Sequence, residues 1–322
     1  MESNSEAVFN FVHENLQNNS PCWLFTVIQT WGSSPRLPGA CLAWSRNGGT
    51  SGSLSGGCIE DDLLAKCQDD HFNNQEHPFL LTYGVTREDA ERFGLPCGGK
   101  LELLAEYLPC DPSTLAHIKA IQEAISQRKC ITRHVQLTSS WASSELYRVS
   151  YDGPQELNQT SDSINYYLGP QFRLLIVGAN QVAQYLADFT RALDFEIWVC
   201  DPRENAFRDW PHGFTRNFSQ MPDDLIREKA HDKHTAVVTV SHDPRVDDMA
   251  LMEALTTDAF YIGAMGSRKT TDARVQRLLQ LDLTPVQIEK LRAPIGLPIG
   301  SKTPAEIAMA IAADLVRTIR TT

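Results

Sequence analysis

The spacing of hydrophobic residues changes near the middle of the chain. In the first half, the apolar run Trp23–Thr30 and the alternating positions of Lys100–Tyr107 predict β-strands. Helical spacing predicts helices over Ser5–Gln17 and from Pro112 to about Gln127. Strands and helices follow one another without a fixed alternation, so we predict a mixed α+β domain over residues 1–151.

The second half alternates regularly between apolar strands and amphipathic helices. The predicted strands are Phe172–Val177, Glu196–Cys200, Phe214–Phe218, Ala236–Val240 and Phe260–Ile262. This alternation is typical of an α/β fold with a parallel sheet, and we predict a Rossmann-like, doubly wound parallel-sheet domain over residues 169–322. Residues 152–168 are polar and poor in aliphatic side chains, and we predict a linker there.

Composition and charge narrow the possible partners. The chain has 322 residues, with 29 basic and 40 acidic side chains and a net charge of −11, which argues against nucleic acid or an anionic membrane as a partner. Its eight cysteines form no CxxC pair, so neither a zinc site nor a disulfide framework is expected. The start of the chain, MESNSEAVFNF, has no signal-peptide pattern, and we predict a cytoplasmic protein with reduced thiols.

The segment GSLSGGCIE, which ends at Glu60, places a cysteine after a glycine- and serine-rich turn. Ser55, Gly56 and Gly57 form the turn, and Cys58 stands at the predicted start of a helix. A helix N-terminus carries free N–H groups, which hold anions and stabilise a thiolate. A reactive cysteine beside a phosphate-binding turn and a tight turn with a buried cysteine both fit this pattern.

A second cysteine lies in the segment LPCGGK, between a proline and two glycines. Cys97, Gly98 and Gly99 precede the strand predicted to begin at Lys100, whose ammonium would favour a thiolate. Structural cysteines more often lie inside apolar runs, so this position favours a functional thiol.

The loop WGSSPRLPG carries Ser33, Ser34 and Arg36 between two prolines. Because prolines reduce the conformational freedom of a loop, its arginine and hydroxyls suit an anionic ligand. A rigid surface loop is an equally good interpretation.

The first strand–helix turn of the second half, GANQVA, matches the dinucleotide fingerprint GxGxxG/A in part. Gly178 and Ala183 fit the pattern, but Asn180 stands where the second glycine would let backbone approach a pyrophosphate. Asp201 ends the next strand, where a ribose-binding carboxylate is expected. A later turn, GAMGSRK, carries Gly266, Ser267 and Arg268 and predicts either a phosphate clamp or a capped turn with a solvated arginine.

The chain resembles the XdhC/CoxI family in seven motifs: WGSSPRLPGA, SGSLSGGCIEDDL, LPCGGKLEL, LIVGANQVA, CDPR, YIGAMGSRKT and PIGLPIGSKTPAEIA. They extend over residues 26–315, and it is their combination that is specific. The sequence departs from the family at Asn180, where the family's pattern has glycine.

The resemblance implies a cytoplasmic chaperone without catalytic residues of its own. It would bind molybdenum cofactor, as molybdopterin or its cytosine dinucleotide form, support its sulfuration and insert it into a xanthine dehydrogenase- or aldehyde oxidoreductase-class enzyme. The implied partners are the apo-molybdenum hydroxylase, a cysteine desulfurase, a cytidylyltransferase and a second copy of the chain.

The resemblance also assigns roles to the residues named above. Thiolates suit a soft metal, and Cys58 and Cys97 would face molybdenum or sulfur, with Ser33, Ser34, Arg36, Ser55, Gly56, Gly57, Gly98 and Gly99 around them. The nucleotide side would be held by Gly178, Asn180, Asp201, Gly266, Ser267 and Arg268.

Two other functions stay open at this stage. The GANQVA turn and Asp201 fit an NAD(P)-dependent oxidoreductase, although the chain has no recognisable dehydrogenase acid/base pair. A nucleotide-sensing regulatory module with structural cysteines is the other alternative.

Overall fold

The computed structural model describes residues 4–31, 38–55, 57–84, 100–141, 147–150 and 157–321. The chain divides into two compact units, residues 2–170 and residues 171–322. In the part of the chain that the structure describes, none of the helices combines the length and apolar composition needed to cross a bilayer.

The N-terminal unit contains a five-stranded antiparallel sheet with the strand order β3-β2-β1-β5-β4. Its strands are β1 (Cys22–Trp31), β2 (Cys41–Ser45), β3 (Gly49–Gly52), β4 (Phe79–Tyr83) and β5 (Lys100–Leu108). The helices of this unit are α1 (Asn4–Gln17), α2 (Cys58–Gln68) and α3 (Pro112–Ser126). Apolar side chains cover both faces of the sheet, so β1 is buried over its first seven residues.

A second antiparallel sheet completes this unit, and two of its strands lie within the described part, 157–168, of the predicted linker at 152–168. Its strands are β6 (Ile131–Gln136), β7 (Tyr147–Ser150), β8 (Asn158–Gln159) and β9 (Ser163–Leu168), in the order β7-β6-β9-β8. In β9, buried Ile164, Tyr166 and Leu168 alternate with partly exposed residues. Every second residue of β9 therefore faces outward, and the polar residues of this segment occupy those outward positions.

The C-terminal unit is a six-stranded, fully parallel sheet with the order β12-β11-β10-β13-β14-β15. Its strands are β10 (Arg173–Val177), β11 (Glu196–Cys200), β12 (Arg216–Phe218), β13 (Thr235–Thr239), β14 (Tyr261–Ala264) and β15 (Leu291–Arg292). Its helices are α4 (Gln181–Ala192), α5 (Pro222–Lys229), α6 (Pro244–Ala254), α7 (Arg268–Leu279), α8 (Pro285–Ile288) and α9 (Pro304–Thr321). This is the strand order of a Rossmann sheet, in which the winding reverses between β10 and β13.

Helices on both faces of this sheet explain its continuous apolar strands. In β10, Leu174 and Ile176 join one apolar cluster, while Leu175 and Val177 join the other. A strand buried on both sides has no polar face, and all five residues of β10 are buried. The predicted fold class, an α+β domain followed by a Rossmann-like domain, is confirmed.

Candidate functional site

The structure describes part of the predicted site. Ser33, Ser34, Arg36, Gly56, Cys97, Gly98 and Gly99 lie outside the described residues, and Cys58 is described through its backbone alone. The remaining predicted residues lie at two places: the turn before α2 in the N-terminal unit, and the carboxyl ends of the parallel strands in the C-terminal unit.

In the N-terminal unit, the strands that precede the three predicted motifs run toward the same edge of the sheet, with Gly52 at the end of β3 level with Phe25 of β1. Trp31, the last residue of β1, pairs with Lys100, the first residue of β5. Tyr83, which ends β4, pairs with Leu101, and β3 runs in the same direction as β1. The Ser33–Arg36 motif follows β1, the turn to Cys58 follows β3, and the Cys97 motif lies between β4 and β5. The strand register therefore places the attachment points of all three motifs toward the same edge.

The turn that leads to Cys58 is organised by Glu60, which the sequence analysis did not single out. One carboxylate oxygen of Glu60 accepts hydrogen bonds from Ser53 Oγ, the Leu54 N–H and the Ser55 N–H, and the other accepts them from Ser55 Oγ and the Gly57 N–H, at 2.6 to 3.1 Å. The Glu60 carboxylate thus occupies the N–H and hydroxyl donors of the turn that were predicted to bind an anionic ligand. The available signal was a glutamate at the third position of the helix, where it reaches back to the cap.

Helix α2 starts at Cys58, as predicted, and its position is fixed by packing and by a polar contact with β4. Ile59 and Leu63 are fully buried against the sheet. The hydroxyl of Tyr83 donates a hydrogen bond of 2.7 Å to Asp62 Oδ2, which also pairs with Lys66 Nζ at 2.6 Å. The helix N-terminus that carries Cys58 is therefore held against the five-stranded sheet.

Four of the other cysteines are packing residues. Cys22, Cys41, Cys67 and Cys200 are buried. Burial raises the thiol pKa to about 12 for Cys22, Cys67 and Cys200, and to about 11 for Cys41. These thiols stay protonated near neutral pH, so they are poor nucleophiles and poor metal ligands.

Among the described residues, Lys100 contacts an aromatic ring. Its ammonium lies 4.3 Å from the centroid of the Trp31 ring, across the β1–β5 pair. A cation at this distance is attracted by the electron-rich face of the indole. The contact links the end of β1, which precedes the Ser33–Arg36 motif, to the start of β5, which follows the Cys97 motif.

In the C-terminal unit, Gly178 and Asn180 lie at the reversal of the sheet. Gly178 has φ +108°, and a Cβ there would lie 2.8 Å from both Cα and N of Ser241, so glycine is required. Asn180 caps α4 by accepting a hydrogen bond from the Ala183 N–H at 3.1 Å. Its Nδ2 donates to the Val240 carbonyl at 2.7 Å and so joins the turn after β10 to the end of β13.

Asp201 lies beside this turn, where a ribose-binding carboxylate was predicted, but its oxygens are occupied. The Ala179 N–H donates to one oxygen at 2.8 Å, and Arg203 donates to both oxygens through its side chain and to one through its backbone N–H. Burial raises the pKa of Asp201, but the hydrogen bonds from Arg203 and Ala179 outweigh it and hold the pKa below its usual value. The carboxylate is therefore an ionised partner of Arg203.

The turn from β14 to α7 carries Gly266, Ser267 and Arg268. Ser267 caps α7, because its hydroxyl accepts a hydrogen bond from the Thr270 N–H at 3.2 Å. Ser267 and Arg268 are both exposed. Of the two predictions for this segment, the structure shows the capped turn. The guanidinium of Arg268 is exposed, where an anion can reach it.

A buried ionic cluster behind that turn was missed by the sequence analysis. Arg274 donates to Asp247 Oδ2 and to Asp248 Oδ1, both at 3.0 Å, and to the Met265 carbonyl at 3.1 Å. Ser241 Oγ donates to the other oxygen of Asp247 at 2.7 Å. Arg274 therefore ties the turns after β13 and β14 together. No sequence signal pairs α6 with α7, because the charges meet only in the folded unit.

A mixed α+β unit followed by a Rossmann unit, with cysteine motifs attached at one edge of the first sheet, defines a two-unit protein whose second unit has the Rossmann architecture. Residues 174–315 match the family model described as the XdhC Rossmann domain, and residues 16–84 match the model of the XdhC and CoxI family. The chain belongs to the XdhC/CoxI family.

Relatives align over nearly the whole chain. A protein of Bacillus subtilis, named as a probable subunit of xanthine dehydrogenase, is 24% identical, over 94% of each chain. The Escherichia coli protein named molybdenum cofactor insertion chaperone PaoD is 23% identical, over 96% of this chain and 86% of its own. A crystal structure described as a xanthine dehydrogenase of Bacillus halodurans superposes with a TM-score of 0.72 at 26% identity, covering 98% of this chain and 96% of its own.

Proposed function

We propose that this chain is a chaperone that binds molybdenum cofactor as cargo and inserts it into a xanthine dehydrogenase- or aldehyde oxidoreductase-class enzyme. The likeness to a molybdenum cofactor insertion chaperone along 96% of the chain supports this proposal. The two family models match residues in both units, so the likeness is not limited to the nucleotide-binding architecture.

The observation that carries the proposal is the common edge of the five-stranded sheet. The strand ends that flank the Ser33–Arg36, Cys58 and Cys97 motifs lie toward that edge. Molybdenum in its cofactor is a soft centre with sulfur ligands, and cysteine thiolates suit it. We assign the metal- or sulfur-facing role to Cys58 and Cys97, whereas the buried cysteines have raised thiol pKa values and do not suit it.

The phosphate end of the cofactor needs positive groups and N–H donors. In the C-terminal unit, the exposed Arg268 at the N-terminus of α7 supplies both kinds of group. We therefore assign the cofactor's phosphate to the Gly266–Arg268 turn.

A chaperone of this kind would receive sulfur for the cofactor from a cysteine desulfurase and would act as a homodimer in the cytoplasm. If the cargo is the cytosine dinucleotide form, a cytidylyltransferase would supply it. The chain itself would perform no turnover chemistry.

A transfer assay tests the proposal. The chain is loaded anaerobically with molybdenum cofactor and mixed with an apo-molybdenum hydroxylase of the xanthine dehydrogenase class. Hydroxylase activity should exceed that obtained from the same amount of free cofactor, and Cys97→Ala should lower the yield by about tenfold. Cys110→Ala is the matched control, because Cys110 is exposed and lies outside the motifs. Equal activation by free and chain-bound cofactor would refute the chaperone role.

The strand order of the C-terminal unit suggests an NAD(P)-dependent oxidoreductase as a second candidate, but the carboxylate of Asp201 that would bind its ribose is already paired with Arg203. This function requires the Rossmann unit to bind the dinucleotide across the reversal of the sheet, where Asn180 lies.

A further inference from the structure

The point where the strand order of a Rossmann sheet reverses is its usual ligand crevice. A dinucleotide bound there places one nucleoside beside the second strand of the sheet, its diphosphate at the first helix N-terminus and its other half beyond the fourth strand. In this chain those positions correspond to Asp201 at the end of β11, the N-terminus of α4, and Val240 at the end of β13.

The path of the diphosphate is crossed by a side chain. Asn180 extends from the turn after β10 and donates its 2.7 Å hydrogen bond to the Val240 carbonyl. Its other side-chain atom, Oδ1, accepts from the Ala183 N–H, one of the free donors that a diphosphate would use. The amide thus lies across the crevice and occupies a helix N-terminal donor at the same time.

The backbone beside Asn180 is closely packed between β10 and β13. Gly178 packs so closely on Ser241 that even a Cβ would lie 2.8 Å from the Ser241 backbone. The Val240 N–H also donates to the Val177 carbonyl at 2.9 Å. The turns after β10 and β13 are therefore in direct contact, and the amide of Asn180 extends that contact outward.

At the nucleoside end of the crevice, Asp201 is already bound to other groups of the chain. An ionised carboxylate has about four acceptor positions. Those of Asp201 are filled by the Ala179 N–H and by three donors of Arg203. A ribose diol could bind Asp201 only by displacing the Arg203 guanidinium, which pairs with it at 2.6 Å.

We infer that Asn180, together with the Asp201–Arg203 pair, excludes ligands whose diphosphate crosses from β11 to β13, which is the binding mode of NAD(P)H. Asn180 is the specificity-determining residue. Arg203 occupies the carboxylate of Asp201 and so keeps a ribose from binding it. This inference does not depend on the proposed chaperone function, because it concerns the C-terminal unit and a different class of ligand. It also limits where a cytosine dinucleotide could bind, since its diphosphate could not take this path.

Titration with ADP-ribose, and with NADH followed by its fluorescence, tests the inference on the full chain. The wild-type protein should bind neither ligand at concentrations up to about 1 mM. Asn180→Gly combined with Arg203→Ser should bind ADP-ribose at least about tenfold more tightly than wild type. Asn180→Asp is the matched control: it keeps the volume and the helix cap, adds negative charge and should gain no affinity.

Folding of the variants is checked by circular dichroism and by the midpoint of urea unfolding. Glycine is itself well tolerated at a helix cap, and Arg203 is exposed, so the double variant should fold. Micromolar binding of NADH or ADP-ribose to wild-type protein would overturn the inference. A folded double variant that gains no affinity for ADP-ribose would overturn it as well, because Asn180 and Arg203 would then not be what excludes the ligand.

Discussion

At the scale of single residues, three charged side chains hold the backbone of turns in this protein. Glu60 accepts from the N–H groups of the turn before Cys58, Asp201 accepts from the Ala179 N–H in the turn before α4, and Arg274 donates to the carbonyl of Met265. Each turn is one that the sequence marks as a ligand site. The shape of each turn is thus fixed in the absence of ligand, which lowers the entropy cost of binding to the groups left exposed.

Glu60→Ala should destabilise the N-terminal unit by about 3 kcal/mol, because several charge-assisted hydrogen bonds are lost and the donors of Leu54, Ser55 and Gly57 lose their partner. Glu60→Gln should cost less, since its amide oxygen keeps part of the set. The measurement is the urea dependence of unfolding. Asp61→Ala, an exposed neighbour on the same helix, should change stability by less than about 0.5 kcal/mol. Equal effects of Glu60→Ala and Asp61→Ala would show that the turn does not depend on Glu60.

The buried Asp247 should make stability depend on pH. Desolvation raises its pKa from 3.8 to about 6, and the favourable hydrogen bond from Ser241 and charge of Arg274 only partly offset it. Because the folded-state pKa is the higher one, the contribution of this residue is complete below pH 3.8 and is lost as the pH rises through 6. The shift corresponds to roughly 3 kcal/mol.

The test compares wild type with Asp247→Asn, which cannot titrate. The unfolding free energy of wild type minus that of the variant should fall as the pH is raised from about 4 to about 7. A difference that is constant over this range, or that rises, would contradict the raised pKa of Asp247.

At the scale of elements, the turns after the parallel strands have strict steric requirements. Gly178→Ala should cost roughly 3 kcal/mol, because it adds left-handed backbone strain to a clash with Ser241. Gly213→Ala is the control in the same unit: a Cβ there meets nothing within 4 Å, and its effect should stay below about 0.5 kcal/mol. The measurement is the midpoint of urea unfolding, which should be lower for Gly178→Ala than for Gly213→Ala. Similar midpoints would contradict the close approach of Gly178 to Ser241.

Most elements could be predicted from the sequence because their patterns are local. Buried parallel strands read as apolar runs, and the helix caps Asp243 and Thr284 follow simple rules for the first helical turn. Strand β9 was assigned to a linker because half of its residues are polar, and strand β4 was not anticipated. Strand pairing is non-local, so neither the second sheet nor its register can be derived from one segment alone.

At the scale of the whole molecule, four buried cysteines differ from Cys58 in their surroundings. Cys22, Cys41, Cys67 and Cys200 are buried thiols with raised pKa values, whereas Cys58 stands at a helix start. We expect alkylation of the native protein at neutral pH to be slower at the four buried cysteines than in the unfolded chain, on the order of 100-fold. Mass spectrometry of the labelled peptides measures this, and uniform labelling of all eight cysteines would contradict the division.

The candidate site could be predicted only in part. The motifs identified Cys58, Gly178 and Asp201 because glycines and helix starts have sequence signatures. Their internal partners Glu60 and Arg203 were missed, because an acidic or basic residue two positions from Cys58 or Asp201 has many partners available to it. Sequence identifies groups capable of binding, and the fold decides which of them are already occupied.

We propose that this chain holds molybdenum cofactor through the cysteines of its N-terminal unit. An anaerobic titration of the purified full chain with molybdenum cofactor tests it most directly, with Cys58→Ala, Cys97→Ala and Cys110→Ala measured in parallel. We predict binding at micromolar concentration or tighter, weakened by at least about tenfold in the Cys58 and Cys97 variants and unchanged in Cys110→Ala. Absence of cofactor binding to the wild-type chain, or equal binding by all three variants, would contradict the account.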